Sequence, residues 1–106
     1  MKDKLEFLGN IRMNIYEVQT RTPLLIQNLL MIWEKSVRAT HQFLSDTEIR
    51  RIREYVPQAL NGVAHLVVAE REPNVPIAFM GVEHNRLEML FLTPSERGRG
   101  LGKQLL

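Results

Sequence analysis

Beyond Thr22 the hydrophobic period of this chain is helical up to Asn61-Gly62 and changes there, and that change does most to limit the folds open to it. Before it, Ile26, Leu29, Leu30, Trp33 and Val37 recur every three or four positions, and Ile49, Ile52, Val56 and Leu60 repeat the pattern. Such spacing sets side chains on one face of a helix. After it, "VAHLVVAE", "IAFMGVE" and "RLEMLFL" are short aliphatic and β-branched runs, divided by "REPNVP" and by His84-Asn85. That is the pattern of consecutive strands joined by turns. A further strand is expected at Met13 to Val18, where "MNIYEV" alternates. One strand, two helices and an antiparallel meander of three strands predict an α+β domain whose sheet is covered by helices.

Local signals set the ends of these elements. Thr22 can cap the first helix, with Pro23 at its first position, where a missing N–H costs nothing. Ser45 to Glu48 is a capping-box pattern for the second helix, which Pro57 is expected to end or kink and Asn61-Gly62 to close. Residues 1–12 show no clear period and read as a leader or tag, so the domain is expected to occupy residues 13–106. The sequence contains neither an internal repeat nor a low-complexity segment.

Composition removes several function classes. A chain of 106 residues fits one domain, and no apolar run approaches the roughly 20 residues that a bilayer-spanning helix needs. No membrane partner is expected, and a cytoplasmic location is. The absence of cysteine excludes disulfides and thiolate catalysis, and no histidine spacing suggests a metal site. A net charge of +2 gives little overall attraction to nucleic acid. The cluster Arg50, Arg51 and Arg53 is flanked by Glu48 and Glu54, reads as a solvated helix face, and has no aromatic platform beside it. No nucleic-acid partner is expected.

The densest chemical signal is "ERGRGLGKQ". Gly98, Gly100 and Gly102 alternate as G-x-G-x-G, which is not the dinucleotide fingerprint, and Gln104 stands where a Walker A loop needs Ser or Thr. The spacing that does fit is R-x-x-G-x-G, running from Arg97 to Gly102 behind an apolar strand and Thr93-Pro94. Glycines there let a phosphate approach successive backbone N–H groups at the start of a helix.

With this motif in register after the strand, and with "IWEKSVRATHQFL" in the first helix and the loop behind it, the chain resembles the GCN5-related N-acetyltransferase (GNAT) superfamily, in particular its small bacterial members. The resemblance implies an acyl-coenzyme A N-acyltransferase fold with a mixed, mostly antiparallel sheet flanked by helices. It implies acetyl-coenzyme A as cosubstrate, a primary-amine acceptor, and direct transfer in a ternary complex. Under it, the backbone of Leu90, Phe91 and Leu92 pairs with the pantetheine arm, and Arg97, Gly98, Arg99, Gly100, Leu101, Gly102 and Lys103 take the phosphates. The family often bulges this strand to aim an amide N–H at the thioester carbonyl, at a position the sequence does not reveal. The family's later elements, with the residue that protonates the leaving thiolate, have no counterpart here, and neither Tyr16 nor Tyr55 matches that residue's position. The chain is therefore expected to be the N-terminal part of one such domain and to be inactive by itself.

An amine with a pKa of about 10.4 must lose a proton before it attacks a thioester. Glu88 interrupts an apolar strand and, by alternation, would share a face with Arg86, Leu90 and Leu92, which makes it the candidate base. A carboxylate that merely pairs with Arg86 is the competing reading. Trp33, Arg38 and His41 fall on the side to which the resemblance assigns the acceptor. Trp33, Met31 and Phe43 read first as core, because a helical stripe needs such residues, while Arg38 suits either an acidic group on the acceptor or a solvated surface. His84 should be exposed in its turn and His65 structural. The acceptor stays open among a small amine, an amino acid, a peptide N-terminus and a protein lysine. A coenzyme A-binding or regulatory module without catalysis is the alternative, and a homodimer is a possible assembly.

Overall fold

A computed structural model describes residues 4–8, 11–40, 44–72 and 75–94 of the chain. In order they form β1 (Lys4–Leu8), β2 (Ile11–Glu17), α1 (Pro23–Thr40), α2 (Asp46–Arg53), α3 (Val56–Gly62), β3 (His65–Glu72), β4 (Val75–Glu83) and β5 (Arg86–Leu92). The strands make one sheet in the order β1-β2-β3-β4-β5, and every pairing among the described residues is antiparallel. A parallel neighbour of the kind that would make the sheet mixed is not among them.

The helix ends follow the side chains that stop them. Thr22 Oγ1 accepts from the Leu25 amide at 3.1 Å and opens α1. Ser45 Oγ accepts from the Glu48 amide, and Glu48 Oε1 accepts from the Ser45 amide, both at 3.1 Å, closing the capping box of α2. The single second helix expected from the sequence is two helices. Pro57 does not end α2 but sits in the first turn of α3, and the break falls ahead of it at Glu54-Tyr55. Proline has no N–H for the carbonyl of Arg53 and its ring crowds that carbonyl, whereas in a first turn neither defect matters.

β1 is the second departure. Residues 4–8 show no clear hydrophobic period, yet Lys4 to Leu8 pair with Ile15 to Ile11. Backbone pairing needs no side-chain pattern once a neighbouring strand offers free N–H and C=O groups. The β4–β5 hairpin is as expected. His84 (φ 51°) and Asn85 (φ 62°) both take the left-handed conformation that a tight two-residue turn demands.

The three helices cover one face of the sheet. Leu29, Leu30, Trp33 and Val37 of α1, Ile49 of α2 and Leu60 of α3 pack on Leu66, Val68 and Phe79. Leu29, Leu60, Leu66, Val68 and Phe79 are fully buried, and each such side chain is worth roughly 1.5–3 kcal/mol. A smaller cluster of Ile15, Val67, Ala69, Ile77 and Ala78 occupies the opposite face, with Met80, Leu90 and Leu92 packed against it.

Candidate functional site

β5 is the strand on which the sequence places the chemistry, and β4 sets its register. Leu92, Phe91, Leu90 and Met89 pair with Ala78, Phe79, Met80 and Gly81, but the next pairs are Leu87 with Val82 and Arg86 with Glu83. One step in β4 thus spans two in β5, and Glu88 is the residue left over. This is the two-against-one count of a β-bulge.

The bulge corrects the alternation read from the sequence. Met89 and Phe91 belong with the helix-side core, and Leu90 and Leu92 with the opposite cluster. Paired residues share a face, so Leu87 lies with Val82 on the face away from Gly81, and Arg86 lies on the face opposite Leu90. Glu88 cannot share a face with both Arg86 and Leu90. Its carboxylate is exposed and forms no ion pair with the described residues, Arg86 included.

Packing holds the strand on both sides of this point. The Phe91 ring meets Phe79 at 5.5 Å between centroids, tilted by 33°, and the Thr93 amide donates to Ile77 O at 2.9 Å beyond the last strand pair. Gly81 is opposite Met89 because there is no room for more. A Cβ there would stand 2.9 Å from Met89 Cγ and 3.1 Å from Val63 Cγ2. Among the described residues the outer edge of β5 has no strand partner.

The remaining candidates separate. Arg97, Gly98, Arg99, Gly100, Leu101, Gly102 and Lys103 lie outside the described residues, as do His41 and Phe43. Trp33 is 6% exposed within the helix-side core, while Met31, expected there too, is 48% exposed. Arg38 joins α1 to α2. Its Nε donates to Glu34 Oε2 at 3.0 Å and its terminal nitrogen to Asp46 Oδ1 at 2.8 Å. Arg50 pairs with Asp46 at 2.9 Å, and Arg53 Nε lies 2.7 Å from Glu34 Oε1 without hydrogen-bond alignment. Hydrogen bonds donated to Asp46 and Glu34 push the Arg38 pKa up, and the same contacts hold both carboxyls below their ordinary values. An acidic ligand group would have to compete with both for Arg38.

His65 Nδ1 lies 3.0 Å from Glu17 Oε2 across two strands, and this hydrogen bond holds the Glu17 carboxyl below its usual range. His84 is exposed in its turn. No group of three or more potential metal ligands occurs among the described residues, and no described helix is long and apolar enough to cross a membrane. Sequence reasoning missed one feature: the Tyr16 hydroxyl donates to Glu70 Oε2 at 2.8 Å beside a cleft of about 410 Å³. Its only trace in the sequence is a glutamate ending the apolar run of "VAHLVVAE".

No protein-family model matches the chain. It is 38% identical over 80 residues to "Peptidyl-lysine N-acetyltransferase YjaB" of Salmonella typhimurium, and 37% identical over 84 residues to the protein of that name in Escherichia coli. Each match covers 76% of this chain and 54% of the relative, so the chain spans about half the length of the curated relatives it matches. In three dimensions it is similar to the solution structure of apo-form YjaB from Escherichia coli, with a TM-score of 0.74 at 31% identity, over 88% of this chain and 60% of that one.

Proposed function

From the premise that this chain belongs to the GCN5-related N-acetyltransferases in sequence and fold, we propose that it supplies the acetyl-coenzyme A platform of an enzyme that acetylates the ε-amine of peptidyl lysine. The observation that carries the reading is β5: a strand whose outer edge is unpaired among the described residues, bulged at Glu88, and followed in the sequence by Thr93-Pro94 and R-x-x-G-x-G.

In this reading the free edge at Leu90, Phe91 and Leu92 pairs with the pantetheine arm as an added strand would. The thioester then lies by the bulge, where an amide N–H released from the ladder can donate to the carbonyl oxygen as it gains charge. The phosphates rest on the backbone of residues 97–103, whose glycines allow close approach. Only about four lysine amines in ten thousand are neutral at pH 7, so a base is needed. Glu88 takes the proton, directly or through one water, as the nitrogen lone pair attacks the carbonyl carbon. The N–C bond forms, the tetrahedral centre collapses, and the C–S bond breaks with its electrons on sulfur.

Calorimetry with acetyl-coenzyme A tests the platform. The parent should bind, and Gly100→Leu should lose at least about tenfold in affinity because the side chain occupies the phosphate's path. Undiminished affinity in that variant refutes the placement. Binding without acetyl transfer to a lysine peptide in the complete enzyme that carries this platform would favour the module that binds coenzyme A without catalysis.

A further inference from the structure

The cleft beside Tyr16 carries a carboxylate whose charge nothing described neutralises. The end of β2, the first turns of α1, Glu70 of β3 and Pro76 of β4 enclose about 410 Å³, within the size range of small-ligand sites. Glu70 is 8% exposed. Its Oε2 accepts from the Tyr16 hydroxyl at 2.8 Å, and its Oε1 has no hydrogen-bond partner among the side chains the structure describes. No lysine, arginine or histidine whose side chain the structure describes pairs with it. Glu17, the other carboxylate of the lining, is held by His65, and no lining residue is cationic.

Glu70 Oε1 opens only into the cleft, and the one phenol on Oε2 does not balance a carboxylate's charge, so a cationic partner there would gain more than in open water. Beside it, Val18, Leu24, Leu25 and Pro76 offer an apolar wall. A full negative charge at one end of an apolar slot calls for a ligand with a cationic head and an aliphatic stem. We infer that the cleft is a binding site for an organic cation, an alkylammonium or alkylguanidinium group, with the head on Glu70 Oε1 and the stem along Leu24, Leu25 and Pro76. The inference stands apart from the acetyl-transfer reading, because β3 and β4 separate β2 from β5 in the sheet.

The test is a nuclear magnetic resonance titration of the isotope-labelled full chain with n-butylammonium chloride. Saturable shifts are expected at Tyr16, Leu25, Asn28 and the Glu70 side-chain carboxyl carbon, with none along β5. Sodium butyrate, the same stem with reversed charge, should give none. Glu70→Gln should weaken binding about tenfold or more, as expected when a charged hydrogen-bond acceptor is lost. Tyr16→Phe, which keeps the carboxylate, should still bind. Matching titrations with Nα-acetyl-lysine methylamide and with spermidine distinguish a polypeptide side chain from a free polyamine, and saturation by either supports the site. Non-saturable shifts, equal binding of butyrate, or unchanged affinity in Glu70→Gln overturn the inference. Should Glu70→Gln not fold, a Glu70 carboxyl carbon that stays still in the parent titration overturns it equally.

Discussion

Gly81→Ala probes whether the bulged strand is held as tightly as its packing implies. The added methyl would stand 2.9 Å from Met89 Cγ and 3.1 Å from Val63 Cγ2, against about 3.5–4.0 Å for comfortable carbon contacts. Something must move by about 0.5 Å or more. Val63 is 8% exposed and stiff at its branched Cβ, so Met89 gives way and carries β5 with it next to Glu88. Overpacking of this kind costs about 1–3 kcal/mol, and replacing glycine returns about 0.4–1 kcal/mol through the unfolded chain. Mid-range values, about 2 against about 0.7, leave a net loss of about 1.3 kcal/mol, within about 0.5–2 kcal/mol. With a urea slope near 1.5 kcal/mol per molar, the unfolding midpoint followed by circular dichroism should fall by roughly 0.3–1.3 M. In a Met89→Ala background the nearest obstacle is gone, and Gly81→Ala should cost about 0.5–1.5 kcal/mol less. A midpoint that holds or rises in Gly81→Ala, or a cost that is the same in both backgrounds, refutes the reasoning.

In the complete enzyme that carries this platform, Glu88→Gln should slow acetyl transfer about a hundredfold near neutral pH, with a deficit that shrinks as pH approaches the acceptor's pKa of about 10.4; a pH–rate profile overlaying the parent's would place the base elsewhere. Ser45→Ala removes the cap of α2 and should lower stability by about 0.5–2 kcal/mol in a urea titration, and no change would mean that α2 is held by packing alone. Backbone hydrogen bonding from Ser45 lowers the Glu48 pKa, Arg38 lowers those of Glu34 and Asp46, and His65 that of Glu17. The unfolded chain therefore binds these protons more readily. Their contribution to stability is complete above the ordinary values, 4.5 for Glu and 3.8 for Asp, and disappears as pH falls through the depressed ones. The urea midpoint should drop as the chain is acidified below about pH 4.5, and a flat midpoint down to about pH 2.5 would contradict these pairings.

What the sequence determined by itself is whatever a few neighbouring residues can settle. Thr22-Pro23 and the Ser45–Glu48 box begin helices because their partners lie within one turn, and His84-Asn85 makes a hairpin because both residues tolerate positive φ. The helical stripe from Ile26 to Val37 located its own buried face, and the α+β order followed from the change of period at Asn61-Gly62. Pro57 was legible as a break, but which side of it stayed helical depended on the cost at the carbonyl four residues earlier.

The tertiary structure decided what depends on partners far along the chain. β1 exists by pairing with β2, and Tyr16 and Glu70 meet across 54 residues of sequence. Trp33 and Arg38 look alike as candidates beside an acceptor, yet one is enclosed by the core and the other is spanned by two carboxylates. The bulge at Glu88 exists only relative to β4. A strand read alone alternates without interruption, and the residue that falls out of step is fixed by the neighbour that must keep its hydrogen bonds and by a glycine that leaves no space for a side chain.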